Sequence, residues 1–386
     1  MPETIRAENG EELSLKKLLS AMPKMQASDL HIKPDIAPTY RIGGHLRSIS
    51  APPMTAEQCD RFVQPLMNEH QKADYERDGH IDFAWFLDSG PHKGERFRCN
   101  FFKAGQHTHA AIRRVNATIP DYATLHLPPV YEKIVADNAQ GLILIVGVTG
   151  SGKSSTLAAM VNQVNHTRDV NIITIEDPIE YRFTQDKSII SQREIGIDVP
   201  DFHTALRSVV RQDPDVIFIG EMRDHDTILA AIQAAETGHL VFATLHTTDT
   251  MGAFGRMLEF FPPKERGFVR SALSGCLAAI CAQRLIPAVE DFEAKIVPAT
   301  EVLINTPTVR EKIRDGEEAD IPAIINSSTG EGMHSFTQSF GELVQKEWVT
   351  LPVARHFAPN KEALDAMIKG VEVKAQSLVS RIKGPR

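Results

Sequence analysis

Apolar residues follow two different periods in the first third of the chain. Residues 15–22 carry leucine or methionine at positions i, i+3, i+4 and i+7, the spacing of an amphipathic helix. Residues 30–32 and 97–101 instead carry an apolar residue at every second position, the period of a strand with one buried face. A Gly-Gly pair at residues 43–44 is a hairpin signal. These patterns predict a small α+β domain.

The pattern changes at residue 141. Continuous apolar runs of strand length now alternate with stretches of helical period, such as residues 157–164 and about 226–236. The runs predicted to be buried strands are residues 142–146, 172–175, 216–219 and 240–243. Strands that alternate with helices favour a doubly wound, largely parallel sheet. The apolar run 274–282 is predicted to be a further buried helix.

Prolines and the change of pattern divide the chain into regions. Pro120, Pro128 and Pro129 disfavour regular structure and indicate a linker. Beyond residue 307 the pattern is mainly helical and ends in an apolar stripe of Leu364, Met367, Ile368, Val371 and Leu378. The predicted organisation is a loose tail at 1–12, an α+β domain at 13–118, a linker at 119–132, an α/β core at 133–305 and a C-terminal helical region at 306–386.

Composition and charge narrow the class of protein. The chain has 386 residues, of which 42% are hydrophobic and 24% are charged, as in ordinary globular proteins of two or three domains. Its net charge of −8 disfavours a broadly cationic nucleic-acid binder. No apolar run has the roughly 18 residues of a membrane span and no signal peptide is recognisable, so we expect a cytoplasmic protein. The 4 cysteines form no C-x-x-C pair, which excludes a zinc ribbon and favours buried thiols.

A glycine-rich segment carries the strongest chemical signal. Residues 147–154 match G-x-x-x-x-G-K-[ST], follow an apolar strand and open a helical pattern. Such a loop surrounds phosphate oxygens with backbone N–H groups, while Lys153 can reach the β- and γ-phosphates and Ser154 can bind Mg²⁺. The alternative is a glycine turn without a ligand. We predict a site for ATP and Mg²⁺, with the nucleotide-binding residues Gly147, Thr149, Gly150, Ser151, Gly152, Lys153, Ser154 and Ser155.

A second signal follows another buried strand. Residues 216–219 are apolar and lead into Gly220 and Glu221, the form of a Walker B strand that carries an acid to the carboxyl edge of a sheet. We predict that Glu221 orients or deprotonates the attacking water, or contributes to the Mg²⁺ site. The alternative is an ordinary acid at a helix N-terminus, where the helix dipole favours it.

Further acids and a histidine fall at comparable strand ends. Glu176, Asp177 and Glu180 follow one predicted strand, and His246 follows another. Taken alone, such acids are usually surface charges and such a histidine is usually structural. Their convergence on one edge of the sheet favours a role in catalysis. The predicted catalytic set here is Glu221, Glu176, Glu180 and His246, and the predicted metal site is Ser154, Glu221 and Asp177.

Several ordered motifs together resemble a known family. They are residues 147–154, 174–180, 211–224, 235–239 and 244–247. In order, they resemble the Walker A motif, Asp box, Walker B motif and His box of the secretion ATPases of type II secretion and type IV pilus systems. The resemblance runs from about residue 27 to near residue 345 and is greatest to the PilT and PilU pilus-retraction ATPases. It implies a RecA-like P-loop ATPase core with a smaller, PAS-like N-terminal domain. Residues 308–315 only approximate the PilT signature, which favours PilU or a divergent paralogue.

The resemblance also implies a hexameric ring, in which the N-terminal domain of one subunit packs on the ATPase domain of the next. Arg98 and Arg113 match family positions proposed to reach a neighbour's nucleotide, and we include both in the predicted catalytic set. Strand alternation places Arg96 and Arg98 on the face opposite Phe97. The alternative is an ordinary solvated strand face.

The family implies a cytoplasmic motor that hydrolyses ATP at the inner-membrane base of a type IV pilus and powers pilus retraction and twitching motility. The implied partners are other copies of this chain, an inner-membrane pilus platform protein and, for a PilU-like chain, a paralogous pilus ATPase. We expect neither bulk nucleic-acid binding nor an integral membrane segment. Two alternatives stay open: a PilU-like accessory ATPase that supports a partner motor, and a nucleic-acid translocase with a RecA-like core.

Overall fold

The computed structural model describes residues 4–115 and 118–370, and it divides into two compact units. The first unit is the described chain up to Thr118 together with two short later segments, Ile179–Arg182 and Gly196–Asp198. The second unit is made up of Ile119–Pro178, Phe183–Ile195 and the described part of Val199–Arg386. Val371 and Leu378, the last two positions of the predicted C-terminal stripe, lie outside the described residues.

The first unit is built on an antiparallel sheet. Its strands are β1 (Thr4–Arg6), β2 (Glu12–Ser14), β3 (Ala27–Ile32), β4 (Thr39–Ile42), β5 (His45–Ser48), β6 (His80–Phe86), β7 (Arg96–Ala104) and β8 (His107–Arg114). Its helices are α1 (Leu15–Met25), α2 (Ala56–Val63) and α3 (Glu69–Asp78). Within the described residues the main sheet has six strands in the order β5-β4-β3-β8-β7-β6. The predicted hairpin at residues 43–44 joins β4 to β5.

The core of the first unit follows the predicted apolar periods. The four apolar residues of the α1 stripe are at most 4% exposed, and Ser14 caps that helix by accepting a hydrogen bond from the Lys17 N–H. Phe97, Cys99 and Phe101 are fully buried on one face of β7. The helical and strand periods of the sequence therefore identify the buried faces correctly.

The N-terminal segment is more ordered than the sequence predicts. The first twelve residues were expected to form a loose tail, but β1 pairs with β2 and places Ile5 opposite Leu13. Ile5 is 6% exposed and belongs to the core of this unit. Strands of 3 residues are too short for a period to be recognised in the sequence, which is why the prediction was wrong.

The second unit is built on a largely parallel sheet. Its strands are β9 (Gly141–Val146), β10 (Asn171–Glu176), β11 (Ile189–Glu194), β12 (Val216–Ile219), β13 (Leu240–Leu245), β14 (Leu277–Pro287) and β15 (Ile296–Ile304). Its helices are α4 (Val130–Asp137), α5 (Lys153–Thr167), α6 (Phe202–Val209), α7 (His225–Glu236), α8 (Thr250–Glu259), α9 (Arg266–Cys276), α10 (Pro307–Asp315), α11 (Ile321–Ser327), α12 (Phe336–Gln345), α13 (Leu351–Phe357) and α14 (Lys361–Ile368). In the described part of the chain the sheet order is β11-β10-β12-β13-β9-β14-β15, with β14 and β15 antiparallel and the other neighbours parallel.

The central strands of this sheet are buried on both faces. Every residue of β9, β12 and β13 is buried, which explains why they are continuous apolar runs in the sequence. β9, β10, β12 and β13 are parallel, so their carboxyl ends lie at one edge of the sheet. The P-loop motif follows β9, and the predicted acids and histidine follow the other three strands. The fold therefore brings the motifs to the same edge.

Two predictions for the second unit were wrong in detail. The run 274–282 was predicted to be a helix, but α9 ends at Cys276 and the rest of the run belongs to β14. An apolar run that is buried on all sides has no period that distinguishes a strand from a helix. In addition, α4 begins at Val130, inside the predicted linker, and Pro129 occupies its N-cap. A proline at a helix start loses no helical hydrogen bond.

The cysteines lie in the interior of the two units. All four cysteines are buried free thiols, and burial raises the pKa of Cys276 to about 12. None of the helices among the described residues combines the length and the hydropathy needed to span a bilayer.

Candidate active site

The P-loop motif connects β9 to α5 in a tight turn. Gly152 is the N-cap of α5 with a φ of +87°, a backbone conformation that favours glycine. A Cβ on Gly147 would lie 2.3 Å from the Ser151 hydroxyl and 2.6 Å from the backbone oxygen of Gln283, so only glycine fits there. The loop thus ends at a helix N-terminus, where backbone N–H groups attract anions.

Lys153 is held across the loop that precedes it. Its Nζ donates to the Gly147 carbonyl at 2.8 Å and to the Val148 carbonyl at 3.1 Å, and the residue is 8% exposed. The other predicted nucleotide-binding residues precede or follow Lys153 in the sequence. Thr149 and Gly150 are exposed, Ser151 is buried, and Gly152, Ser154 and Ser155 are half-buried. A buried cation beside exposed loop residues is the arrangement needed to bind phosphate oxygens.

Glu221 lies just beyond β12 and is held on both sides. Its Oε2 is 2.7 Å from the Arg223 guanidinium, and its Oε1 is 3.3 Å from Nε2 of His246. On the other side of the ring, His246 Nδ1 is 3.4 Å from the Thr149 hydroxyl. These contacts form a continuous polar connection from the Walker B acid to the P-loop.

The electrostatics of this connection keep the histidine neutral. Burial, followed by the positive charge of Lys153, lowers the pKa of His246 below its ordinary value of 6.5. The hydrogen bond with Glu221 raises the pKa of Arg223, which stays charged. At neutral pH the Glu221 carboxylate therefore lies between a cation and a neutral imidazole.

The structure separates the three predicted Asp-box acids. The Asp177 carboxylate is 3.6 Å from Arg223, which links it to Glu221. Glu176 is 5% exposed, and its Oε1 accepts hydrogen bonds from the Thr174 hydroxyl at 2.6 Å and the Gln192 amide at 3.1 Å.

Glu180 has a different environment from the other two acids. It is exposed and belongs to the segment Ile179–Arg182, which clusters with the first unit. The structure thus gathers Glu221, Asp177 and His246 around Arg223 and the P-loop, and Glu176 accepts hydrogen bonds from side chains of β10 and β11.

The donor groups available for a metal ion are those that Mg²⁺ uses beside a nucleotide. No group of three or more His, Cys, Asp or Glu side chains in the described residues is arranged to hold a metal by itself. Mg²⁺ beside a nucleotide usually binds one or two carboxylates and completes its shell with hydroxyl, phosphate and water oxygens. The hydroxyl of Ser154 and the carboxylates of Glu221 and Asp177 fit that requirement.

Arg98 and Arg113 lie in a row of charged residues across the sheet of the first unit. Arg41, Asp29, Arg113 and Arg98 are opposite one another on β4, β3, β8 and β7. Arg113 Nε donates to Asp29 Oδ1 at 2.9 Å, and Arg98 Nε is 3.4 Å from Asp82 Oδ1. The side chain of Arg113 is 68% exposed. This face therefore presents several guanidinium groups next to one another.

Arg96 does not belong to this row. The alternation of β7 predicted that it would face outward with Arg98, but it is only 8% exposed. Arg96 lies at the start of β7 directly opposite Phe86 on β6, and its guanidinium is 5.8 Å from that ring. A cation packed on an aromatic ring at a strand end is a favourable arrangement that simple alternation does not predict.

Two residues of the site were not identified from the sequence. Arg223 lies within the motif at residues 211–224, where its position two residues after Glu221 is the signal that could have identified it. Gln283 is fully buried on β14 and contacts Ser151 at the P-loop. The two contacting residues are 132 positions apart, and no motif in the sequence connects them.

Comparison with known proteins identifies the family. The sequence profile described as "Type II/IV secretion system protein" matches residues 7–319. The chain belongs to this family. The "Twitching motility protein" of Neisseria gonorrhoeae is 39% identical over 85% of this chain and 86% of that protein. The "Type IV pilus ATPase PilU" of Pseudomonas aeruginosa is 37% identical over 96% of each chain.

A solved structure of the same family has the same fold. The crystal structure of the pilus retraction motor PilT with bound ADP aligns with a TM-score of 0.83 and 36% identity, covering 92% of this chain and 100% of that one. The predicted family and fold class are confirmed. The chain is an ATPase with an α/β core and a nucleotide-binding site.

Proposed function

We propose that this ATPase is a Mg²⁺-dependent hexameric motor that powers retraction of a type IV pilus and hence twitching motility. The observation that carries the proposal is the position of Glu221, which contacts His246 and is connected through it to the P-loop. That arrangement supports a role for the Glu221 carboxylate in handling the attacking water beside the P-loop. The names of the relatives support pilus retraction as the work to which hydrolysis is coupled.

The proposed binding roles follow from the loop. Backbone N–H groups of residues 147–155 surround the phosphates, and Lys153 neutralises their charge. The hydroxyl of Ser154 would hold Mg²⁺ together with the carboxylates of Glu221 and Asp177. The metal ion neutralises charge on the phosphates when it is bound.

The proposed catalytic roles follow from the contacts at the strand ends. Glu221 orients the attacking water and accepts its proton, and His246 keeps the Glu221 carboxylate in place. Arg223 holds Glu221 and Asp177 together at distances of 2.7 and 3.6 Å. We assign Glu176 and Glu180 supporting roles in the same step.

The row of charged residues in the first unit supports the proposal that this ATPase works as a ring of subunits. Arg98 and Arg113 lie outside the unit that carries the P-loop, so we propose that they act on the nucleotide of a neighbouring subunit. An arginine supplied in trans stabilises charge in phosphoryl transfer and can change rates by about 10³ to 10⁵. Hydrolysis in this ring would require a neighbour for each site, which couples turnover to assembly.

A specific observation also favours a second candidate, an accessory role beside a partner motor. The sequence match to PilU of Pseudomonas aeruginosa extends over 96% of this chain, compared with 90% for PilT of the same organism, with 37% identity in both cases. In that case the chain binds ATP and supports a paralogous pilus ATPase. Both candidates act at the cytoplasmic side of the inner membrane, on a pilus platform protein.

Turnover of the purified full-length chain distinguishes these candidates. We expect ATP hydrolysis that stops when EDTA removes Mg²⁺, a hexameric mass by light scattering, and no stimulation by DNA. In a strain that lacks the gene, we expect pili that do not retract, with rescue by the wild type and not by Lys153→Ala. Turnover that appears only after a partner pilus ATPase is added would favour the accessory role. DNA-stimulated turnover with a steep salt dependence would contradict both.

A further inference from the structure

We propose that Gln283 is a positioning residue for the phosphate-binding loop of this ATPase. It lies on β14, which pairs with β9 on the side away from β13, and it is 1% exposed. Its Nε2 donates to the Ser151 carbonyl at 2.7 Å, and its Oε1 accepts a hydrogen bond from the Thr156 hydroxyl at 3.0 Å. One buried amide therefore connects the end of the loop to the first turn of α5.

The hydrogen bond to Ser151 fixes the direction of a peptide group. In a trans peptide the C=O and N–H bonds point in opposite directions. The Ser151 carbonyl points to Gln283 on β14, so the N–H of Gly152 points away from β14. Gly152 is the N-cap of α5, and N–H groups at a helix N-terminus are the ones that bind anions. Gln283 thus sets the direction of a donor that a phosphate is expected to meet.

Close packing reinforces this arrangement at both ends of the loop. The backbone oxygen of Gln283 would be 2.6 Å from a Cβ on Gly147, and its Nε2 would be 3.0 Å from a Cβ on Gly152. The loop therefore approaches this strand as closely as two glycines allow. A displacement of Gln283 would therefore displace the loop as well, because close-packed protein interiors transmit small shifts to neighbouring residues.

A second buried amide in the same unit provides a matched control. Asn305 is 9% exposed, and its Nδ2 donates to the carbonyls of Ser274 and Leu277 at 3.0 and 2.7 Å. It binds backbone oxygens as Gln283 does, but none of its partners belongs to the P-loop. A substitution of Asn305 therefore shows how the loss of a buried amide affects nucleotide binding when the P-loop itself is not contacted.

The experiment measures nucleotide binding and turnover in the full-length chain. Gln283→Met keeps the size of the side chain and removes the amide, and Gln283→Glu keeps the acceptor for Thr156 but cannot donate to Ser151. We expect both variants to raise the Kd for ADP, measured by titration calorimetry, and the KM for ATP by at least about tenfold, because an N–H donor is misdirected. We expect kcat to change by less than about threefold, because the groups that handle water are intact. Asn305→Leu should leave Kd and KM within about threefold of the wild type.

Several results would overturn this role. One is wild-type ADP affinity in both Gln283 variants, and another is a fall in kcat at an unchanged KM. A loss of ADP affinity as large in Asn305→Leu would show that any buried amide has the same effect. If Gln283→Met does not fold, Gln283→Glu decides the question. The proposal rests on the proposed nucleotide site, so Lys153→Ala is measured in parallel: full ADP affinity in that variant would contradict the site itself, and not only the role of Gln283.

Discussion

Glu221 Oε1 lies 3.3 Å from His246 Nε2, at the ends of two strands that are neighbours in the sheet. Neither residue is near the other in sequence, and the parallel pairing of β12 with β13 brings them together. The pair connects the acid to the P-loop, because the other ring nitrogen of His246 is 3.4 Å from Thr149. The proposed catalytic chemistry therefore depends on the register of two buried strands.

Glu221→Gln should separate nucleotide binding from hydrolysis. The substitution removes the proposed base and leaves the phosphate-binding loop in place, so we expect turnover to fall by at least about 10² while ATP still binds. Rapid filtration with labelled ATP should recover unhydrolysed nucleotide on the protein. Glu259→Gln, at an exposed acid paired with Arg256 on α8, serves as the control and should hydrolyse ATP normally. Wild-type turnover by Glu221→Gln would remove Glu221 from the catalytic set.

The pH dependence of turnover should report His246. Burial and the charge of Lys153 lower the pKa of His246, so the imidazole is neutral at pH 7 and gains a proton only below pH 6.5. Protonation places a second cation beside Glu221, which favours an ion pair over contact with the attacking water. We expect kcat to fall on acidification with a midpoint below pH 6.5, and His246→Asn to lose this step.

His225 provides the control for this pH profile. Its hydrogen bond with Asp226 raises the pKa of His225, so it titrates above the ordinary value of 6.5. His225→Asn should therefore leave the acid step of the profile in place. An acid step that persists unchanged in His246→Asn would assign it to another group.

Gly147→Ala should destabilise the second unit. The new methyl group would lie 2.6 Å from a backbone oxygen and 2.3 Å from the Ser151 hydroxyl, so the loop must move. Overpacking of this kind costs about 1–3 kcal/mol in the free energy of unfolding, which urea denaturation can measure. At Gly255, in the middle of α8, a Cβ meets nothing within 4 Å. Gly255→Ala should stabilise the protein by about 0.5–1 kcal/mol, and equal effects of the two substitutions would contradict the crowding argument.

The sequence was sufficient to predict elements whose period is clear. The helix at residues 15–25 has a clear period and the P-loop motif has a strict spacing. The strands at 141–146 and 216–219 were predicted from apolar runs of strand length instead. These features depend on neighbours in sequence or on burial, both of which leave a pattern along the chain. The ordered motifs also indicated which strand ends meet at one edge of the sheet.

Some features that depend on contacts between distant strands were not predicted. Residues 277–282 of β14 were predicted to be helical because the run 274–282 is apolar and has no distinguishing period, and Gln283, which follows that run, belongs to no motif. Its contact with Ser151 follows from the pairing of β14 with β9, which no local pattern specifies. Arg96 lies on the face that alternation predicts, opposite Phe86, but that ring packs against its guanidinium and the residue is only 8% exposed. Tertiary packing decides these positions.

Arg113→Ala tests action between subunits. Arg113 belongs to the first unit and the P-loop to the second, and Arg113 is held by Asp29 with its side chain 68% exposed. We expect Arg113→Ala to fold, bind ATP and fail to hydrolyse it. Asp29→Asn should lower turnover less, because it removes the charge that orients Arg113 and leaves the arginine present. ATPase assays with circular dichroism and ADP titration measure these properties separately.

Mixed rings provide the decisive measurement for Arg113. Lys153→Ala subunits keep Arg113, and Arg113→Ala subunits keep the P-loop, so about a quarter of the interfaces in an equal, random mixture pair an intact loop with an intact arginine. Subunit exchange should therefore restore turnover that neither variant shows alone, with ring formation checked by light scattering. If turnover needs several intact sites in one ring, linked wild-type and mutant subunits should restore it where mixing does not. Full turnover by Arg113→Ala rings would end the assignment, and Arg98, which lies opposite Arg113 on β7, would be tested next.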